Sequence, residues 1–153
     1  MILKDLGLTE RELDSIQIIF DLTKDGWPAR LTDFSKRMNV KPSTGEEFLS
    51  SLEKKGYVLK KGGVIKLTDK GMEIMEKIER NHRIVETFLY RMGMDIENAH
   101  RNAKNMEYFV TDEFIDNLCS LMGHPKECPH GKKIPQKEEC CSRPQRMEIV
   151  PIR

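Results

Sequence analysis

Residues 31–71 read LTDFSKRMNVKPSTGEEFLSSLEKKGYVLKKGGVIKLTDKG, and they decide the architecture. A helix is predicted from Thr32, carrying Phe34 and Met38 inward and stopping near Asn39-Val40. The next helix begins around Pro42-Ser43, uses Phe48, Leu49 and Leu52 as its buried face, and stops at Gly56. Two short helices joined by a tight turn have helix-turn-helix geometry. Tyr57-Val58-Leu59 and Val64-Ile65-Lys66-Leu67 then form two β-favouring runs around Lys60-Lys61-Gly62-Gly63. Glycine tolerates the positive φ angles of tight hairpin turns, so this stretch predicts a hairpin with a basic tip. Helix, turn, helix and basic hairpin make a winged helix.

Working outward, Thr9-Glu10-Arg11-Glu12 fits a capping box, and Leu13, Ile16, Ile19 and Phe20 give the helix it opens an apolar face. The helix begun at Pro42 is therefore the third. Thr68 caps a long fourth helix with Met72, Met75, Ile78, His82, Val85, Leu89 and Met92 at spacings of three and four, stopped by Gly93. A fifth runs from about Asp95 to Tyr108, and a sixth from Thr111 carries Phe114, Ile115, Leu118, Cys119 and Met122 inward. Beyond Gly123, prolines at 125, 129, 135, 144 and 151 argue against regular helix. The expected fold is mainly α with a small β-hairpin wing. Its divisions are a winged helix-turn-helix domain over 8–70, a helical domain over 71–123 and a Cys/Pro-rich tail over 124–153. The long fourth helix and the methionine-rich stripes after it exceed what so small a monomer buries, which predicts a twofold partner.

Composition narrows the function. The 153 residues carry 26 Lys+Arg against 25 Asp+Glu, a net charge of +1, so any attraction to a polyanion must be local. Lys54, Lys55, Lys60, Lys61 and Lys66 supply such a patch with no acid between the first and the last. The expected partner is double-stranded DNA, with Lys41, Ser43, Thr44 and Glu47 toward the groove and Lys60, Lys61 and Lys66 on phosphates. Glu46 is read as completing a capping box with Ser43. No apolar run approaches the roughly 20 residues that span a bilayer, and MILKDLGLTE lacks a signal peptide's apolar stretch. The cytoplasm is expected, with no membrane partner. No nucleophile, base and oxyanion set and no phosphate-cradling glycine loop is visible, so an enzyme is not expected.

Two groups of residues carry metal chemistry. His82 and Glu86 stand one turn apart on the fourth helix's apolar stripe, and His100 and Glu107 fall on the fifth helix's inward face. Such groups in a core are costly unless paired or coordinated. Imidazole and carboxylate together suit divalent iron, manganese, zinc or nickel; the alternative is a hydrogen-bonded core cluster. The second group is the tail. Cys128, Cys140 and Cys141, with His130 or Cys119 completing four and Cys119 preferred, could hold Zn2+ or an iron–sulfur cluster, or remain inert thiols.

The winged helix with LTDKG leading out, NHRIVETFLYRMGMD, the histidine and glutamate of ENAHRNAKNME, and GKKIP together resemble one family. It is the diphtheria-toxin-repressor and manganese-transport-regulator family of metal-dependent transcription factors. The resemblance covers about residues 8–135 and implies a homodimer made through the helices after the wing, with Fe2+ or Mn2+ tightening operator binding. Position by position it implies that His82, Glu86 and His100 form an ancillary metal site. Glu107 matches a primary-site ligand, and Asp14 matches the aspartate that manganese-type members use there. Lys104 and Tyr108 stand where the family supplies further primary-site ligands, and Lys104 can instead pair with Glu107. Family members usually place neutral or basic side chains where Glu46 and Glu47 stand. MEIVPIR resembles the opening of the family's small third β-domain, and the CPHG and CC elements resemble archaeal members. The expected function is thus a metal-dependent DNA-binding repressor. Alternatives are a winged-helix redox or iron–sulfur sensor acting through the tail cysteines, or a partner-binding module without operator recognition.

Overall fold

The computed structural model describes residues 2–145. Its elements are α1 (Glu10–Thr23), β1 (Ala29–Arg30), α2 (Leu31–Met38), α3 (Pro42–Lys54), β2 (Val58–Lys61), β3 (Val64–Leu67), α4 (Asp69–Arg91), α5 (Ile96–Met106), α6 (Asp112–Leu121) and α7 (Glu138–Cys141). Among these residues there are two compact units, one spanning Leu6–Glu76 and the other comprising 2–5 and 77–145. The MEIVPIR stretch lies outside the described residues.

In the first unit the Thr9 capping box forms: Glu12 N–H donates to Thr9 Oγ1 at 3.2 Å, and Thr9 N–H donates to a Glu12 carboxylate oxygen at 2.9 Å. The same carboxylate accepts from Ser51 Oγ at 2.6 Å and Lys55 Nζ at 2.8 Å, tying the start of α1 to the end of α3. Burial pushes this carboxyl's pKa up, but Lys55, Ser51 and Thr9 outweigh it and hold the group below the usual range. Leu13, Ile16, Ile19, Phe34, Leu49 and Leu52 are fully buried where the three helices meet. Each contributes about 1.5–3 kcal/mol by leaving water. Asn39, in the left-handed region at φ 55°, ends α2 and turns the chain into α3.

The strands form a three-stranded antiparallel sheet in the order β1-β3-β2. Ala29 pairs with Ile65, a strand the sequence does not signal. Lys60 and Lys61 extend β2, opposite Ile65 and Val64, so the turn is only Gly62-Gly63, at φ 59° and 76°. The Lys60 N–H on the outer side of β2 donates to a Glu53 carboxylate oxygen at 3.0 Å. α4 starts against this sheet. A Cβ on Gly71 would lie 2.3 Å from the Tyr57 carbonyl oxygen, so only glycine fits there. Ser43 and Glu46 form no capping box; Lys41 precedes α3 without a side-chain cap and Pro42 opens it.

In the second unit, α4, α5 and α6 enclose Ile84, Val85, Ala103, Ile115, Leu118 and Cys119. The tail joins this core through Cys128, Ile134 and Cys140. Asp95 and Thr111 cap α5 and α6. Contrary to the proline-based expectation, the tail contains α7, a single turn fitted between Pro135 and Pro144. The inward stripes also need correction. Met92 is 67% exposed, and Met72 and Phe114 are exposed at 43% and 41%, because α4 and α6 turn those positions to solvent.

Candidate functional site

The first unit presents a surface of α3 and the hairpin. Lys41, Ser43 and Glu47 are exposed and Thr44 half-buried along α3, while Lys61 and Lys66 are exposed on the hairpin. Lys60 is engaged. Its ammonium pairs with the Glu46 carboxylate and donates to Ser50 Oγ at 3.2 Å. The bond from Lys60 holds the Glu46 carboxyl below its usual range, against a smaller effect of burial.

The second unit gathers imidazoles around one carboxylate. Glu86, 1% exposed, lies one turn beyond His82 on α4. Its Oε2 stands 2.8 Å from His82 Nε2 and 2.9 Å from His100 Nδ1 of α5, and the two nitrogens are 3.1 Å apart. Its Oε1 stands 2.6 Å from His130 Nδ1, brought in by the tail. Burial raises the Glu86 pKa, but His100, His130 and His82 together carry it below the usual range. The other ring nitrogen of His82 lies 2.9 Å from Glu107 Oε2 at the end of α5. Glu107 Oε1 accepts from Lys104 Nζ at 2.9 Å, three residues earlier.

A divalent ion holding adjacent ligands at about 2.1 Å sets them about 3.0 Å apart. The His82, Glu86 and His100 donors, with edges of 2.8, 2.9 and 3.1 Å, have that spacing. Neutral imidazoles and a carboxylate are the ligand chemistry the site needs, so the residues fit a divalent cation. Exposed His100 and His130 leave the cluster open to solvent. Glu86, Cys128 and His130 form a second convergent group sharing the same carboxylate. Neither group includes Asp14, half-buried on α1 of the first unit, or Glu107.

The structure divides the tail ligands otherwise than by residue type. Cys119, Cys140 and Cys141 converge with His124, while Cys128 and His130 turn to Glu86. The cause is the Cys-Pro-His-Gly turn. Gly131 N–H donates to the Cys128 carbonyl at 2.8 Å and Cys128 N–H to the Lys132 carbonyl at 2.9 Å, closing a tight loop that projects His130. The flanking proline and glycine are the signal for that turn. Burial pushes the Cys119 thiol up to about 12, with Arg80 opposing it, and burial raises Cys140 as well.

A winged helix followed by a helical unit whose buried polar side chains are spaced as cation ligands is the architecture of a metal-dependent transcriptional regulator. Comparison with known proteins agrees. The iron-dependent repressor N-terminal DNA-binding domain matches residues 7–63, and the iron-dependent repressor metal-binding and dimerisation domain matches residues 68–136. The transcriptional regulator MntR of Escherichia coli O6:H1 is 34% identical over 110 residues, 69% of this chain and 70% of that one. The hypothetical protein SSo2273 from Sulfolobus solfataricus superposes with a TM-score of 0.76 at 32% identity, over 84% of this chain and 100% of that one. The manganese regulator SloR superposes at 0.70 with 29% identity, over 84% of this chain and 61% of that one. The chain belongs to the iron-dependent repressor family, whose members are transcriptional regulators and not enzymes. No helix among the described residues is long and apolar enough to cross a membrane.

Proposed function

We propose that this protein is a homodimeric cytoplasmic repressor that binds double-stranded DNA when Fe2+ or Mn2+ occupies the cluster around Glu86. The observation that carries this is the convergence of His82, Glu86 and His100 at the spacing of a single coordination shell. In this reading 8–70 is the DNA-binding domain, 71–123 binds metal and dimerises, and 124–153 is a tail that lends ligands. α3 enters the major groove with Lys41, Ser43, Thr44 and Glu47, while Lys61 and Lys66 hold phosphates and Lys60 joins them only when released from Glu46. Exposed Tyr90, Met92 and Phe114 supply apolar surface for the twofold contact.

His82, Glu86 and His100 would hold the ion, and Glu86 Oε1 keeps His130 at hand as a further donor. The bound ion supplies positive charge that offsets the buried carboxylate. Glu107 orients the His82 ring from its far side, as outer partners of a ligating histidine do. Lys104 occupies the other oxygen of Glu107 and so keeps that carboxylate from serving as a full ligand. Asp14 and Glu107 are assigned to the family's primary site by resemblance alone, and that site is altered here by Lys104 and Tyr108.

The test is thermal unfolding with Mn2+, or with Fe2+ under anaerobic conditions, beside anisotropy with a labelled duplex. Metal raises the melting temperature and DNA affinity of the native chain, and His82→Ala removes both responses. An unchanged response in that variant refutes the assignment.

A further inference from the structure

The tail cluster has the features of a built metal site separate from the one around Glu86. We infer that Cys119, His124, Cys140 and Cys141 bind one Zn2+ tetrahedrally, and that this ion staples the tail to the end of α6.

The distances suit a single small ion. Zinc with thiolates at about 2.3 Å and imidazole near 2.0 Å places sulfurs about 3.8 Å apart and sulfur about 3.5 Å from nitrogen. Cys119 Sγ and Cys141 Sγ are 4.0 Å apart, and His124 Nδ1 lies 3.4 Å from Cys119 Sγ and 3.9 Å from Cys140 Sγ. All four donor atoms lie within 4.8 Å of one another. An iron–sulfur cluster would insert its own iron and sulfide between the thiolates, and this cage has no room for them.

His124 is prepared for the role in two ways. Its Nε2 is 2.8 Å from the Arg143 carbonyl oxygen. A carbonyl only accepts, so Nε2 carries a proton, and in the neutral ring Nδ1 then presents a lone pair toward the sulfurs. Ligating histidines typically donate their other N–H to such an oxygen. The backbone at His124 is also left-handed, at φ 56°, and is held there by its N–H bond to the Cys119 carbonyl at 2.8 Å. A non-glycine residue in that region marks a position the surroundings enforce.

Charge agrees as well. Zn2+ with three thiolates and a neutral imidazole leaves one net negative charge, which needs a partner when buried. Arg80, almost fully buried, places Nη1 4.0 Å from Cys141 Sγ and 3.0 Å from the Pro135 carbonyl oxygen. Its Nη2 meets Asp116, whose other oxygen accepts from Lys137 at 2.7 Å. Arg80, Asp116 and Lys137 together carry one positive charge, which balances the site. Three soft donors favour zinc over manganese or ferrous iron.

The site fixes both ends of the 125–139 loop, which carries Cys128 and His130. Zinc here is therefore structural, setting the position of donors that face Glu86; only this last consequence rests on the reading of the Glu86 cluster.

The experiment adds one equivalent of Co2+ to the reduced, metal-free full chain without oxygen. A thiolate-to-cobalt charge-transfer band in the near ultraviolet and intense tetrahedral bands in the visible are expected, and equimolar Zn2+ bleaches them. Both features persist in His82→Ala and Cys128→Ser and disappear in Cys140→Ser/Cys141→Ser. His124→Ala keeps charge transfer, shifts the visible bands and weakens zinc binding by at least about tenfold, the least that losing even an outer partner costs. If the double variant loses helical circular dichroism, Cys141→Ser alone, at a half-buried position, must still weaken zinc binding by at least about tenfold. Trypsin should cleave after Lys126, Lys132 or Lys133 at least about tenfold faster in zinc-free than in zinc-loaded protein, since metal binding orders such segments. No thiolate band in the native chain, a band lost in Cys128→Ser, or a band surviving in Cys140→Ser/Cys141→Ser overturns the inference.

Discussion

Glu46→Gln should make this protein bind DNA more tightly. In the structure the Glu46 carboxylate holds the Lys60 ammonium, with Ser50 Oγ as the third member. The glutamate therefore opposes DNA twice, as a negative charge on the helix proposed to face phosphates and as a competitor for a wing lysine. A carboxylate about 7 Å from a phosphate contributes about 0.6 kcal/mol of repulsion in a water-like dielectric, and salt reduces that. Releasing Lys60 from a partly exposed pair adds a fraction of about 0.2–1 kcal/mol. The sum, about 1 kcal/mol, is roughly a fivefold gain in affinity. Freed to make one more phosphate contact, Lys60 should steepen the plot of log K against log salt by about 0.9. Anisotropy with a labelled duplex of arbitrary sequence, titrated at several sodium chloride concentrations, reads both quantities. Lys60→Ala in the same background should erase the gain. Unchanged affinity and slope in Glu46→Gln, or weaker binding, would refute the reasoning and show that Glu46 positions the lysine instead.

Three further outcomes follow from packing and charge. The lowered Glu12 pKa means its stabilisation is complete above the ordinary glutamate value near 4.3 and fades as pH falls through the lower folded value. Urea unfolding of Glu12→Gln should thus show a flatter loss of stability below about pH 5, and parallel curves would contradict it. Gly71→Ala, which gains about 1 kcal/mol at an open helix position, should here destabilise by about 1–3 kcal/mol through contact with the Tyr57 carbonyl. A stabilised variant in urea melts would count against that close approach. Lys104→Ala strips Glu107 of its ammonium partner; the metal-free protein should melt lower while the shift on adding Mn2+ grows, and an unchanged shift would show that Lys104 does not restrain Glu107.

Local chemistry made part of this fold legible. Thr9 and Glu12 cap each other within one turn, and Gly62-Gly63 can hardly be anything but a hairpin turn. The Lys104–Glu107 pair was readable because helical spacing places such residues together. What escaped depends on distant partners. Ala29-Arg30 is too short to announce a strand and exists through its pairing with β3. Glu46 finds Lys60 across the start of the hairpin, fourteen residues on, and so abandons the local cap expected with Ser43. α7 forms among prolines because Cys140 and Lys137 both meet Asp116 of α6. Residue type alone groups the cysteines together, whereas a four-residue turn sends Cys128 and His130 to a different neighbour.

The sheet order bears on how the hairpin edge resists adding a strand from another chain. A strand with an open edge is a template on which another chain's strand can add, the first step toward aggregation. β2 is such an edge, since β3 occupies its other side. At Lys60 that edge is closed, the outward N–H being consumed by Glu53 and the ammonium by Glu46. Lys61 beside it adds a charge that an incoming strand would have to desolvate. Truncating Glu53 to alanine would remove that acceptor and leave the Lys60 amide open, turning the hairpin edge into a seed for intermolecular sheet.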